Sequence, residues 1–211
     1  MALRFSFRFM RHDYKHETMT AEFSNVYDDQ ARAEAYDKLE FPGTYYLAFR
    51  DLPVIIGEHV QGRKALDFGC GTGRSTRFLR ALGFDTVGVD ISEPMLARAR
   101  ERDPEGEYRL VPDGGLGGCV ADTFDLVLSA FTLNRTARTG DKVLIVMLDV
   151  EDRRPVEDIL CTDDDYHEAY KRAGLMPIKI YRPLAKQTEA YSWVSETTIA
   201  PWVIYVLGRA E

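Results

Sequence analysis

The stretch that decides the fold is Lys64-Ala-Leu-Asp-Phe-Gly-Cys-Gly-Thr-Gly-Arg-Ser75, which leads through a helical pattern and a single glycine to Thr86-Val-Gly-Val-Asp90. An apolar run ends in a carboxylate, a glycine-rich turn and a helix follow, and a second apolar run ends in another carboxylate. This order predicts a strand, a loop, a helix and a second strand. Such a unit is typical of an open parallel sheet, so the chain is predicted to have an α/β fold.

The glycines of the turn alternate, at Gly69, Gly71 and Gly73. Glycine has no Cβ, so the backbone can adopt positive φ angles there and a ligand can lie directly against it. The helix that begins near Arg74 directs its unpaired N–H groups to the same place. Asp90 ends the second strand, where a carboxylate can accept hydrogen bonds from two ribose hydroxyls. The turn is therefore predicted to bind a nucleoside.

The glycine spacing distinguishes between nucleoside ligands. The dinucleotide fingerprint Gly-x-Gly-x-x-Gly fails, because its sixth place holds Arg74 or Thr76, depending on the first glycine chosen. The pattern Asp67-x-Gly-x-Gly-x-Gly73 instead resembles the first motif of class I S-adenosylmethionine (SAM)-dependent methyltransferases, most closely within Ala65–Arg100. SAM carries a sulfonium and an ammonium group and has no pyrophosphate, so a carboxylate beside the loop suits it.

This resemblance implies a fold, a reaction and a set of contacts. The implied fold is a Rossmann-like open sheet, mostly parallel with an antiparallel C-terminal edge pair and helices on both faces, in a single domain over residues 19–211. The implied enzyme is a SAM-dependent methyltransferase. A small-molecule acceptor is expected on other grounds, because the chain is acidic and shows no extra recognition domain. In the family the first aspartate faces the amino-acid end of SAM, and the glycines pass under the sulfonium and ribose. The residues expected to contact SAM are Asp67, Gly69, Cys70, Gly71, Gly73, Asp90, Ile91, Asp113, Ser129 and Tyr27.

Polar residues follow or end all four strands predicted in the first part of the chain. The strands are Lys64–Phe68, Thr86–Asp90, Tyr108–Val111 and Phe124–Ser129, and the polar residues are Asp67, Asp90, Asp113 and Ser129. Ligands of open α/β sheets bind outside the carboxyl ends of the strands. All four residues are therefore expected at one edge, with Asp113 near the adenine amino group if the family resemblance holds.

The N-terminal region has two parts. Residues 1–18 are basic and aromatic and are predicted to be an extension of the domain. Helical patterns follow within Thr20–Glu40, over Thr44–Arg50 and from an Asp51 N-cap to about Val60. In the family such helices lie over the SAM pocket, which makes Tyr27 a candidate to line it. The alternative is that the tyrosines of this region are ordinary core residues.

The junction after the fourth predicted strand departs from the family. Between Phe131 and Asp141 the chain has few apolar residues before the strand-like Lys142–Leu148, whereas parallel strands need a crossover of a dozen or more residues. Lys142–Leu148 is expected either to join the sheet through a minimal crossover or to return antiparallel; alternatively, a helix–strand segment of the family is missing. A non-catalytic SAM-binding or partner-binding module is thus a second candidate. An NAD-dependent oxidoreductase is a third, disfavoured by the glycine spacing.

The C-terminal region is predicted to finish the sheet. Thr162–Asp165 resembles a capping box before a helix that runs to Ala173. Met176–Leu184 and Pro201–Leu207 are predicted to pair antiparallel. Their connection, Ala185–Ala200, contains Tyr191, Trp193 and Glu196, and it is expected to be either a cover of the active site or a surface loop.

Composition limits the partners. The 211 residues carry a net charge of −7 and a sequence pI of about 5.2, which argues against a nucleic-acid backbone as the main partner. The three cysteines are too widely spaced for a disulfide framework or a zinc site, so a reducing, cytoplasmic location is predicted. Cys70 is expected to pack beneath the ligand. No apolar run is long enough for a membrane span.

Overall fold

The computed structural model describes residues 25–38, 44–112, 124–132, 141–145 and 154–210. The extension 1–18 and the site candidate Asp113 lie outside these residues. The helices are a short 3-10 turn at Val26–Asp28, then α1 (Gln30–Asp37), α2 (Thr44–Arg50), α3 (Leu52–His59), α4 (Arg74–Ala81), α5 (Glu93–Arg102) and α6 (Asp163–Arg172). The strands are β1 (Lys64–Phe68), β2 (Asp85–Asp90), β3 (Glu107–Leu110), β4 (Leu126–Leu128), β5 (Asp141–Ile145), β6 (Val156–Leu160), β7 (Leu175–Tyr181) and β8 (Ile204–Arg209).

The first four strands form a parallel sheet in the order β3-β2-β1-β4. In β1, Asp67 is opposite Gly88 of β2 and Leu128 of β4. Strand β1 therefore lies between two neighbours, and its carboxyl end is at the middle of the sheet edge. The predicted α/β, mostly parallel fold is confirmed.

Each helix that packs on the sheet does so through its apolar residues. Leu52 and Ile56 of α3 and Leu79 of α4 cluster with Ala65 of β1, and all four side chains are buried. A second cluster joins Leu66 of β1 with residues of β2 and Val111. Burial of several such side chains, each contributing roughly 1.5–3 kcal/mol, holds the sheet and therefore the loop between β1 and α4.

Of three predicted N-cap residues, two form capping hydrogen bonds and one does not. Ser92 accepts the N–H of Met95 at α5, and Thr162 forms the full capping box at α6. Asp51 stands at the N-cap position of α3, but its side chain makes no capping hydrogen bond. The carboxylate instead accepts from the Arg50 guanidinium at 2.7 and 2.8 Å. A charged fork of two hydrogen bonds is stronger than one bond to a backbone amide, so the ion pair prevails.

Within the described residues, the strand that follows the junction after β4 does not join the parallel sheet, although joining it was the first of the expected arrangements. Strand β5 pairs antiparallel, with β6 as its partner, from Asp141 opposite Leu160 to Ile145 opposite Val156. In the part of the chain that is described, this pair is a sheet of its own and is not hydrogen-bonded to β4. Of the alternatives for Lys142–Leu148, joining the parallel sheet is thus not observed, and β6 was not predicted.

The C-terminal strands pair antiparallel as predicted, but among the described residues they form a sheet of their own and are not hydrogen-bonded to the edge of the parallel sheet. Strands β7 and β8 are antiparallel from Leu175 opposite Arg209 to Tyr181 opposite Ile204, and α6 packs against β7. No described helix combines the length and the apolar character that crossing a bilayer requires.

Candidate donor-binding site

The glycine turn has the backbone conformation that its composition predicts. Gly69, Gly71 and Gly73 have φ angles of 75°, 53° and 76°, a region that residues with a Cβ rarely adopt. The N–H groups of Gly69 and Cys70 both donate to the carbonyl of Val89, at 2.8 and 3.0 Å. The turn is therefore fastened to β2, and it opens at the carboxyl edge of the sheet.

Two of these glycines are also required by close neighbours. A Cβ on Gly69 would lie 2.3 Å from the side chain of Thr132, and a Cβ on Gly73 would lie 2.6 Å from the Tyr108 hydroxyl. Thr132 follows β4 and its hydroxyl reaches the carbonyls of Phe68 and Gly69 at 3.3 Å. Thr132 thus links the end of β4 to the turn, a role that no sequence pattern indicated.

Asp67 lies beneath the turn and is fully buried. Its Oδ2 accepts hydrogen bonds from the hydroxyls of Ser75 and Thr76, at 2.7 and 2.6 Å, while Oδ1 has no hydrogen-bond partner among the described residues. Burial, opposed by these hydrogen bonds and reinforced by Asp90, raises the pKa of Asp67 to about 6. Asp67 therefore ties β1 to the first turn of α4.

Asp90 holds the turn from the other side. Its Oδ2 accepts the N–H of Gly71 at 2.8 Å, and its Oδ1 accepts the N–H of Ser92 at 2.9 Å. Burial raises the pKa of this carboxyl despite those hydrogen bonds. Each carboxylate oxygen can accept a second hydrogen bond, so Asp90 retains acceptor capacity for hydroxyl groups of a ligand.

Cys70 and Ile91 complete the walls of the turn. Cys70 is 5% exposed and packs with Leu96 and Tyr108. Burial raises the pKa of its thiol, which disfavours the thiolate that a nucleophile needs. Ile91 is partly buried against the cluster around Leu66. Both are packing residues next to the two carboxylates.

Ser129 is the residue that follows β4, at the same edge of the sheet. Its Oγ is buried and has no hydrogen-bond partner among the described residues. A buried hydroxyl without a partner is rare in proteins and marks a place where a ligand or water completes the hydrogen bonds. Ser129 follows Leu128, which is opposite Asp67 of β1, so Ser129 and Asp67 lie at the same edge of the sheet.

The backbone carbonyl of Tyr27 is hydrogen-bonded to a residue next to this edge of the sheet. The Ser92 hydroxyl donates to the Tyr27 carbonyl at 2.8 Å, and the ring of Tyr27 contacts that of Tyr36 with centroids 5.3 Å apart. The segment before α1 is therefore attached to the start of α5, two residues after Asp90. Tyr45 of α2 is part of a different aromatic cluster.

Three aromatic rings, which we call the aromatic wall, pack together next to the end of β4: Tyr45, Phe131 and Trp202. Their ring centroids are 5.1 Å apart for Tyr45–Phe131, 5.3 Å for Tyr45–Trp202 and 4.8 Å for Phe131–Trp202. Phe131 has a φ of 61°, the one positive φ at a non-glycine position in the described residues. Such strain clusters at functional sites and persists only where neighbours enforce it. Phe131 and Trp202 were not predicted as site residues.

The geometry of the site by itself indicates a class of protein. Three left-handed glycines between a buried and a partly buried carboxylate, at the carboxyl end of the central strands of a parallel sheet, are the features of a nucleoside-binding α/β fold. Among the described residues, no group of three or more His, Cys, Asp or Glu side chains is arranged to hold a metal ion.

Several known proteins that this chain resembles are methyltransferases. Residues 65–150 match the family model described as a methyltransferase domain. The ubiquinone biosynthesis O-methyltransferase of Methylococcus capsulatus is 39% identical over 70 residues, which are 31% of this chain and 30% of that protein. The 18S rRNA (guanine-N(7))-methyltransferase of Bos taurus is 28% identical over 127 residues, 59% of this chain and 41% of that protein. The matches thus span less than half the length of these curated relatives.

A solved structure agrees on the fold. The CcbJ methyltransferase from Streptomyces caelestis superposes with a TM-score of 0.58 at 17% identity, covering 88% of this chain and 98% of that one. Residues 65–150 are thus similar to a methyltransferase domain, and the chain shares the fold of a methyltransferase of known structure.

Proposed function

We propose that this chain binds SAM over the glycine turn and transfers its methyl group to a small-molecule acceptor. The observation that supports this best is the turn itself: Gly69, Gly71 and Gly73 are left-handed and are held between the carboxylates of Asp67 and Asp90. A nucleoside can approach this backbone closely because no Cβ intervenes. We also propose that residues 19–211 form the single domain that does this.

Each candidate residue has a proposed part in binding the donor. Asp90 accepts hydrogen bonds from the ribose hydroxyls, and the apolar side chain of Ile91 lies beside the adenine. Ser129 supplies its unpaired hydroxyl to the amino-acid end of SAM. The buried charge of Asp67 lies beneath the turn and favours the cationic donor through the local field, with Asp113 proposed to meet the adenine amino group.

The reaction is an in-line displacement at a methyl group that the sulfonium already activates. The protein then has to align the acceptor, the methyl carbon and the sulfur and to exclude water. Two residues considered as general bases are poorly suited. Glu196 uses its Oε2 to accept the N–H groups of Val194 and Ser195, at 2.7 and 2.9 Å. Burial raises the pKa of Tyr45 to about 12, so its phenolate is scarce near neutral pH.

Two considerations favour a small-molecule acceptor. The net charge of −7 opposes binding to a phosphate backbone, whereas the aromatic wall offers flat apolar surface to a ring-bearing molecule. One relative is named for ubiquinone biosynthesis and another for 18S rRNA, so both kinds of acceptor belong in the test. The wide spacing of Cys70, Cys119 and Cys161 along the chain supports the proposed cytoplasmic location.

Calorimetry with S-adenosylhomocysteine (SAH), the product of the donor, tests the proposal. We expect saturable binding of SAH and none of NADH, which also separates this proposal from an NAD-dependent oxidoreductase. Methyl transfer from radiolabelled SAM is then measured on phenols, carboxylic acids and a guanine-containing RNA oligonucleotide. Transfer to RNA alone would contradict the acceptor class, and absence of SAH binding would contradict the donor.

A non-catalytic SAM-binding module is the second candidate, favoured by one observation. Strand β5 pairs with β6, and this pair is not hydrogen-bonded to the parallel sheet in the residues that are described. The surface beyond β4 would then lack a strand that supports an acceptor site. SAH binding together with no methyl transfer to any member of the panel is the result expected for such a module.

A further inference from the structure

The connection between β7 and β8, residues 182–203, is attached to the N-terminal helices through aromatic rings. Tyr191 contacts Tyr46 of α2 with ring centroids 4.9 Å apart, and Trp202 contacts Tyr45 of α2 and Phe131. The connection is thus in contact with both α2 and the residues that follow β4. A loop of this length that is fixed in this manner is typical of a functional element.

Arg50, the last residue of α2, forms the polar part of this attachment. Its Nη1 donates to Oε1 of Glu189 at 2.7 Å and to the carbonyl of Leu184 at 3.0 Å. Its Nε and Nη2 donate to the carboxylate of Asp51 at 2.8 and 2.7 Å. The side chains of Arg50 and Glu189 are only 15% and 11% exposed. Pairs shielded in this way are screened less by solvent than surface pairs are, so this attachment is not a loose surface contact.

The connection is also braced internally. The second oxygen of Glu189 accepts the N–H of Lys186 at 2.8 Å, and the indole N–H of Trp193 donates to the Lys186 carbonyl at 3.2 Å. The N–H of Ala185 donates to the carbonyl of Glu196 at 2.8 Å. These bonds join the start of the connection to its middle.

We propose that Arg50 is a positioning residue for the acceptor side of the site: it holds residues 182–203 on α2 and so fixes Trp202 against Phe131 and Tyr45. This inference rests on the proposed methyltransferase function, because it assigns the aromatic wall to the acceptor. Among the described residues, Arg50 hydrogen-bonds to none of those assigned to the donor. Its loss is expected to disturb acceptor use and to leave donor binding intact.

The two tryptophans of the chain, Trp193 and Trp202, both lie in this connection, so fluorescence excited selectively at tryptophan reports on it. A Trp193→Phe background leaves Trp202 as the sole reporter. In that background we expect Arg50→Gln to increase the acrylamide quenching constant by about twofold, since a detached connection exposes the indole. Arg109→Gln removes the same charge from an exposed position on β3 and serves as the matched control, with no change expected.

An unchanged quenching constant in Arg50→Gln would overturn the proposal. Arg50→Lys keeps the charge but not the planar fork that reaches three acceptor groups, so an intermediate quenching constant is expected. Glu189→Gln removes one arm of the attachment and is the second variant to measure if Arg50→Gln does not fold. Circular dichroism establishes that each variant is folded before quenching is compared.

The kinetic arm uses SAM and the acceptor that the unmodified protein methylates fastest in the panel. We expect Arg50→Gln to lower kcat/KM for that acceptor by about tenfold, because a misplaced wall loosens its alignment. The KM for SAM and the Kd for SAH are expected to stay within about twofold, as for a residue without donor contacts. A parallel loss of SAH affinity would overturn the positioning role. If the unmodified protein binds no SAH, the proposed function fails, while the quenching result still decides whether Arg50 holds the connection.

Discussion

The buried carboxyl of Asp67 gives the folded protein a specific pH dependence. Asp67 is fully buried, and its pKa is raised from 3.8 to about 6, chiefly by burial. Between these two pH values the folded state retains a proton that the unfolded state has already lost. Stability from this group is therefore fully present below pH 3.8, decreases as the pH rises, and is lost once the pH passes about 6.

The magnitude follows from the same two pKa values. At 1.36 kcal/mol per pH unit, the interval from 3.8 to about 6 corresponds to a loss of about 3 kcal/mol in the free energy of unfolding. Asp67→Asn removes the titration, while its amide oxygen can still accept the hydroxyls of Ser75 and Thr76. The free energy of unfolding of the variant, relative to the unmodified protein, should therefore rise by about 2 kcal/mol between pH 4 and pH 7, since a small part of the effect is already present at pH 4.

Urea denaturation at several pH values between 4 and 7, followed by circular dichroism, measures this difference. Asp85→Asn is the control, because Asp85 is an exposed aspartate at the other end of the neighbouring strand. Subtracting the unmodified protein cancels the titration of the groups that do not interact with Asp67. A difference for Asp67→Asn that stays constant to within about 0.5 kcal/mol across this range would refute the burial argument.

Three further predictions concern the same region. Gly73→Ala is expected to lower the free energy of unfolding by about 2 kcal/mol, because φ is 76° at this position and Tyr108 must move. Gly57→Ala in α3 is the control and should raise the free energy of unfolding by about 0.5 kcal/mol, since the added Cβ meets nothing within 4 Å. Equal effects of the two substitutions in urea melts would be inconsistent with this reasoning. Ser92→Ala loses an N-cap and a bond to the Tyr27 carbonyl, so it should cost about 1–2 kcal/mol in the same melts, and a neutral result would argue against the cap. Iodoacetamide should leave Cys70 unmodified in the native protein at about pH 8, because burial raises the pKa of its thiol, and should modify it in urea. Peptide mass mapping measures the modification. Rapid labelling of Cys70 in the native protein would contradict its burial.

The first half of the fold could be predicted because its signals are local. Strand β1 has the predicted bounds, and the glycines of the turn have the positive φ angles that their residue type allows. Apolar runs, alternating glycines and helix caps each act over a few residues, so one sequence is enough to find them. The family resemblance rests on the same short stretch.

The remainder depends on contacts between residues far apart in the chain. Arg50 and Glu189 are separated by 139 positions, and no spacing indicates that they pair. Strand β6 has polar residues at Glu157 and Asp158 and became a strand by pairing with β5. Strand propensity of this kind is decided by the partner strand rather than by the segment itself.

The site shows the same division between local and distant information. Asp67 and Asp90 were found from their positions at strand ends, but the sequence does not reveal that they hold the turn through Ser75, Thr76 and the N–H of Gly71. The contact of Thr132 with Gly69 depends on how β4 lies beside β1, which only the folded sheet determines.

Titration calorimetry of SAH against the unmodified protein, Asp90→Asn and Asp85→Asn tests the donor site most directly. The asparagine at position 90 retains an acceptor for one backbone amide but loses the charged acceptor proposed for the ribose. We predict that the unmodified protein and Asp85→Asn bind SAH alike, and that Asp90→Asn loses about 1.5–3 kcal/mol of binding free energy. Equal affinity in all three proteins would contradict the proposed contact to the ribose, and no heat of binding in any of them would contradict the donor site itself.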